Sequence, residues 1–110
     1  NPARYAYFAA ELLTEHNHSI VPIGIKKGKV ADEEILDIRQ KPSVKGIDTV
    51  TLYLGPQNQT EWYDYILSLE PKRIIFNPGT ENRELAQKAE AKGIETLEAC
   101  TLVMLRVGNY

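Results

Sequence analysis

Apolar positions along the chain switch between helical and extended spacing, and the switching predicts the fold. Between Pro2 and His16, Tyr5, Phe8, Ala9, Leu12 and Leu13 recur at helical spacing, with Arg4, Glu11 and Glu15 off the stripe. Asn1 reads as N-cap and Pro2 as the first helical residue, where a missing N–H is harmless. Asn17 ends this helix. Ser19–Ile23, with Ile20, Val21 and Ile23, predicts a short buried strand followed by a Gly/Lys-rich loop, Gly24–Lys29. Residues 30–47 predict only an extended piece at Glu34–Leu36 and a turn before Gly46. A second strand spans Thr49–Leu54 and ends in Gly55-Pro56. Pro56 opens a helix running to Leu69, with Trp62, Ile66 and Leu69 inward and Pro71 closing it. Arg73–Phe76 is a third strand, stopped by Asn77-Pro78-Gly79. Arg83–Lys92 is helical, with Leu85, Ala86 and Ala89 inward and Gly93 as the C-cap. Ile94–Leu97 is a fourth strand, and Cys100–Leu105 a last turn of helix.

Strands alternating with helices predict βαβ units, a parallel sheet and right-handed crossovers. The expected fold is a single α/β domain over residues 1–110: a three-layer, doubly wound, Rossmann-like sheet. Such a sheet places a strand before its first helix, at the centre. None is found before Pro2. Four strands without it leave unpaired backbone facing across the gap, so the pattern predicts an upstream strand and a Gly-containing loop in the natural protein.

Composition narrows the classes. The chain has 110 residues, 43% hydrophobic and 25% charged, which is globular. A net charge of −2 with interspersed signs gives no basic stripe for a phosphate backbone, so nucleic acid is not an expected partner. No apolar run approaches the ~20 residues of a bilayer span, so neither is a membrane. The single cysteine, Cys100, excludes an internal disulfide and suits a reducing, cytoplasmic compartment.

Ligands of open parallel sheets bind beyond the carboxyl ends of the strands. Four segments are expected there. At Asn1-Pro2-Ala3-Arg4, free backbone N–H groups and the helix dipole favour a phosphate, which Arg4 would reinforce. In Pro22-Ile23-Gly24-Ile25-Lys26-Lys27-Gly28-Lys29, three lysines follow a strand with no acidic residue at its end. That absence counts against NAD, whose ribose hydroxyls call for a carboxylate there, and for a phosphorylated ribose. Tyr53-Leu54-Gly55-Pro56-Gln57-Asn58 offers backbone that a planar adenine can approach at Gly55. Asn77-Pro78-Gly79-Thr80-Glu81-Asn82 forms a loop ending in a helix cap. Each has an ordinary alternative: a capped helix, a solvated lysine turn, or turn chemistry alone.

Catalytic constellations are scarce. His16 and His18 fall at the back end of the first helix, and Asp32-Glu33-Glu34 reads as a solvated face. There is no Walker-type loop, metal-ligand spacing or nucleophile elbow, and Cys100 reads more simply as a small hydrophobe. No enzyme activity is expected. A phosphoreceiver role is discounted, because Asp48 and Lys72 precede their strands and would lie on the wrong edge. The cluster Trp62, Tyr63 and Tyr65 is a candidate homodimer face, in competition with core packing.

With these loops placed, the sequence resembles the CoA-binding domain family of small stand-alone bacterial and archaeal proteins, related to the nucleotide-binding part of the succinyl-CoA synthetase α subunit. The resemblance rests on Asn1-Pro2-Ala3-Arg4-Tyr5, Val21-Pro22 followed by Lys26-Lys27-Gly28, Gly55-Pro56, Asn77-Pro78-Gly79 and Glu98–Cys100, in order and covering nearly the whole chain. It implies non-catalytic binding of coenzyme A or acyl-CoA through the ADP half. The first helix start would take the pyrophosphate, Lys26-Lys27 the 3′-phosphate region, and Leu54-Gly55-Pro56 the adenine surroundings. The family's first Gly-rich loop and the synthetase's phosphohistidine machinery are both missing from this sequence. An NADP-binding, oxidoreductase-like module is the alternative that the lysines leave open.

Overall fold

The computed structural model describes residues 2–110, with side chains from Arg4 onward. Helix α1 (Pro2–Glu15) is followed by β1 (Ile23–Gly24), β2 (Lys29–Val30), β3 (Glu33–Glu34) and β4 (Leu36–Asp37). Then come β5 (Thr49–Leu52), α2 (Tyr63–Ser68), β6 (Arg73–Phe76), α3 (Arg83–Glu90), β7 (Glu95–Glu98) and α4 (Thr101–Val107). Strands β5, β6 and β7 form one parallel sheet in that order, and β1 pairs with β4 in a second parallel sheet. Among the described residues no ladder joins the two.

Three layers follow from which side chains point where. Alternate residues of a strand face opposite sides. Leu52, Ile74 and Phe76 bury one face against Tyr63, Ile66 and Leu67 of α2 and Leu85 and Ala89 of α3. On the opposite face, Thr51 shares a 2.7 Å hydrogen bond with Thr101 at the start of α4. There too the Arg73 guanidinium sits 4.7 Å from the Tyr110 ring centre. Helix α1 packs on α4, burying Ala9, Ala10 and Leu13. His18, just past α1, stacks on Tyr110, just past α4, with ring centres 4.9 Å apart. The carboxyl ends of both helices therefore meet at Arg73, the amino end of β6. The start of α4 lies toward the carboxyl ends of the strands, where Thr101 bonds Thr51 and Asn77.

The first crossover departs from the pattern. Ser19–Ile23 is predicted as a buried strand, yet only Ile23–Gly24 pairs, and Val21 is 42% exposed. No helix links β1 to β4. The connection is instead a small antiparallel hairpin, β2–β3, closed by Ala31 and Asp32, both in the left-handed region at φ 49° and 65°. Two such residues in succession match a two-residue type I′ turn, whose twist suits a hairpin. The helix predicted from Pro56 begins as two 3-10 turns, Pro56–Asn58 and Thr60–Trp62, before α2. Tyr63 and Tyr65 are buried and the half-buried Trp62 packs on the core, so core packing accounts for most of this aromatic cluster.

Candidate functional site

Four described segments start a helix or follow the carboxyl end of a strand: the first turn of α1, the bend after β1, the loop after β5 and the loop after β6. Within each sheet the parallel register sets the strand ends level, Gly24 with Asp37 in one and Leu52, Phe76 and Glu98 in the other.

A buried polar network fixes this edge. Asn77, directly after β6, is 2% exposed. Its Nδ2 donates to Thr51 Oγ1 at 2.7 Å and to the Leu52 carbonyl at 2.9 Å, and its Oδ1 accepts from Thr101 N at 2.9 Å. One side chain thus ties the ends of β5 and β6 to the start of α4. Gln59 is wholly buried and donates through Nε2 to the Leu54 and Thr80 carbonyls at 2.8 and 2.9 Å. Asn82 donates to Gln59 Oε1 and Tyr63 Oη, while its Oδ1 caps α3 by accepting from Leu85 N. Buried amides of this kind are costly unless paired, and their mutual satisfaction holds the two loops in one arrangement.

The Tyr53 hydroxyl is the exception. It lies buried beside the Thr51 and Thr101 hydroxyls, yet it makes no well-directed hydrogen bond. Burial pushes its pKa above the usual tyrosine value of 10.0.

The predicted site residues fall as follows. Asn1 lies outside the described residues. Pro2 is already helical, and Arg4 is exposed on the first turn of α1. Pro22 is half-buried and its carbonyl accepts from Leu36 N at 2.9 Å, anchoring the β1–β4 pair. Lys26 and Lys27 are exposed in the bend that follows β1. Leu54, Gly55 and Pro56 are half-buried, and a Cβ at Gly55 would come within 3.0 Å of the Gln57 amide. The backbone at Gly55 is therefore approached first by the chain's own flexible Gln57 side chain. Gly79 is exposed at φ 90°, a conformation that favours glycine, and its N–H bonds Glu81 Oε1 at 2.9 Å. Asn77 faces inward, with its amide engaged by the protein.

Two residues here carry no signal in the sequence, Gln59 and Asp37, and Asn82 is legible only as a helix cap. The bonds of Asn82 to Gln59 and Tyr63 are hidden because those partners are remote in the chain. Asp37 ends β4 next to β1, and its carboxylate accepts from Arg39 through Nε and Nη2 at 2.9 and 3.0 Å, as well as from Arg39 N. Arg39 holds the Asp37 carboxyl below the usual carboxylate range, with Lys27 adding to the effect.

The amino edge differs in chemistry. Asp48 and Lys72 face each other there as an exposed pair, 3.9 Å apart, and His16 and His18 are exposed. Two surface concavities lie away from the carboxyl edge. One runs along Thr14, Asn17–Ile20, Ala31 and Glu33, and the other along Asp64, Leu67, Ser68, Glu70–Lys72 and Lys92–Ile94. Neither gathers strand carboxyl ends, where backbone N–H groups and helix N-termini converge in parallel sheets, so the carboxyl edge is the candidate site. Among the described residues no cluster of His, Cys, Asp and Glu has metal-binding geometry, and no helix is long and apolar enough to cross a membrane.

Comparison with known proteins agrees with this fold and names its family. A solved structure described as an uncharacterized protein is 54% identical, with a TM-score of 0.93 over 98% of this chain and 88% of that one. A protein from Thermus thermophilus superposes with a TM-score of 0.80 at 18% identity, over 100% of this chain and 83% of the other. A hypothetical protein from Pyrococcus horikoshii OT3 gives 0.76 at 23% identity, over 93% of this chain and 72% of the other. No curated protein matches. The domain is of the Rossmann-like α/β class, and the family model for the CoA binding domain matches residues 1–106: this chain belongs to the CoA binding domain family.

Proposed function

We propose that this chain is a binding module for coenzyme A or acyl-CoA that holds the ADP half of its ligand at the carboxyl edge and performs no chemistry on it. The supporting observation is that this chain belongs to the CoA binding domain family and carries the Lys26-Lys27 bend and the Gly55-Pro56 loop directly after parallel strands. The start of α1, with Pro2 and Arg4, would face the pyrophosphate, where N–H groups and the helix dipole favour anions. Lys26 and Lys27 would lie toward the 3′-phosphate as mobile point charges. Leu54-Gly55-Pro56 would border the adenine, with Gln57 turning aside. Pro22 and Asn77 would act by positioning, one holding β1 to β4 and the other locking the loop that ends in Gly79.

A thermal-shift panel of ligand-free protein with CoA, acetyl-CoA, NAD, NADP and ATP tests this. At a hundred times its Kd a ligand adds roughly 2.7 kcal/mol, a rise of several degrees for a domain of this size. CoA and acetyl-CoA should give that rise and NAD none. No shift with either CoA species, or a larger one with NADP, overturns the reading.

A further inference from the structure

In Rossmann-type sheets a carboxylate at a strand end accepts hydrogen bonds from the free hydroxyls of an adenosine ribose, and a nearby arginine favours a phosphorylated ribose. No carboxylate follows β1 in this chain. One stands at the end of the neighbouring strand, β4, where the register sets Asp37 beside Gly24. Arg39 engages both of its oxygens. An anion that accepts a two-point guanidinium has little capacity left for ribose hydroxyls. The same geometry holds Arg39 in a fixed orientation. Five N–H donors fan out from a guanidinium, and those not directed at Asp37, including both on Nη1, have no partner among the described residues. The Arg39 side chain is 57% exposed, so these donors face solvent. Lys26 and Lys27 leave β1 as Arg39 leaves β4, and Lys27 lies close enough to act on the Asp37 carboxylate. The left-handed Lys41 follows at once, at φ 46°.

We infer that Arg39, oriented by Asp37, determines specificity at this edge by recognising a phosphate on the adenosine ribose and rejecting an unphosphorylated diol. The inference rests on the CoA reading above and adds to it a fixed, planar donor where the lysines supply only mobile charge. A bidentate guanidinium is a better match to a phosphate than an ammonium, so Arg39 and Lys are not interchangeable here.

Calorimetric titration with CoA, dephospho-CoA and NADP tests it, using wild type, Arg39→Gln and Arg39→Lys. All three have an exposed position 39, and circular dichroism checks that each is folded. Wild type should prefer CoA to dephospho-CoA. Arg39→Gln should weaken CoA by about tenfold or more and leave dephospho-CoA within about twofold, with Arg39→Lys recovering part of the loss. Equal losses for CoA and dephospho-CoA, or no loss for either, overturn the inference while leaving CoA binding intact. Failure of wild type to bind either CoA species overturns the functional reading and this inference together. Tighter wild-type binding of NADP than of CoA likewise overturns both.

Discussion

The two parallel sheets of this domain are built on different principles. In the β5–β6–β7 half every strand is four residues long, and the apolar core drawn from Leu52 to Ile94 lies entirely within it. Its loops are tied by the buried amides of Asn77 and Gln59 and the half-buried amide of Asn82. The β1–β4 half has strands of two residues, and between Asn17 and Asp48 the buried hydrophobic residue is Ile38. What it has instead is charge: Lys26 and Lys27 in the bend after β1, Lys29 in β2, and Arg39 and Lys41 in and just after a 3-10 turn. A rigid scaffold thus stands beside a solvated, cation-bearing arm. Strong local stability and a wet anion-binding surface compete for the same residues, and here the chain separates them.

Mutations can break that contrast, starting where the effect is largest. Phe76→Ala empties the most buried part of the scaffold and should cost about 3–5 kcal/mol, read by urea unfolding. Asn77→Ala strands the Leu52 carbonyl and the Thr101 N–H, each costing about 1–3 kcal/mol, and should lower Tm by roughly 10 °C or more. Lys26→Ala with Lys27→Ala should leave stability nearly unchanged and weaken CoA more than dephospho-CoA; equal losses would show that the two lysines do not read the 3′-phosphate. Tyr53 sharpens the alkaline side. Its raised folded-state pKa contributes stability that is fully present below pH 10.0 and lost as pH climbs beyond it. Tyr53→Phe should therefore flatten the alkaline decline in Tm, with Tyr65, also raised by burial, accounting for what remains. Smallest of all, Ile25→Ala in the arm should stay within about 0.5 kcal/mol of wild type.

The scaffold half was legible in the sequence, and the arm mostly was not. Arg73–Phe76 stands out because an apolar run is bounded by Pro71 and by Asn77-Pro78-Gly79, and it is a strand over those residues. The α3 helix shows its stripe, its Asn82 cap and its Gly93 stop, which adopts φ 79°. Strands of two residues have no period to read, so the Ile20–Val21 run drew the first strand too early. Pairing with Leu36–Asp37 decides where β1 lies, and that is a fact of register between remote segments. The site splits the same way. Lys26-Lys27 and Gly55-Pro56 announce themselves by composition. Asp37 and Arg39 do not, because their meaning comes from the adjacency of β4 to β1. The inward role of Asn77 was equally hidden, since its partners Thr51, Leu52 and Thr101 are more than twenty residues away.

The central claim is that ligand binds at the carboxyl edge, on the charged arm braced by the scaffold. Backbone amide hydrogen exchange with and without saturating CoA tests it directly. The account expects added protection at Gly24–Lys29, Arg39–Lys41 and Tyr53–Gln57, with none at His18, Lys72 or Lys92. Protection confined to the concavity around Asn17 and His18, or to that between Glu70 and Lys92, would contradict it.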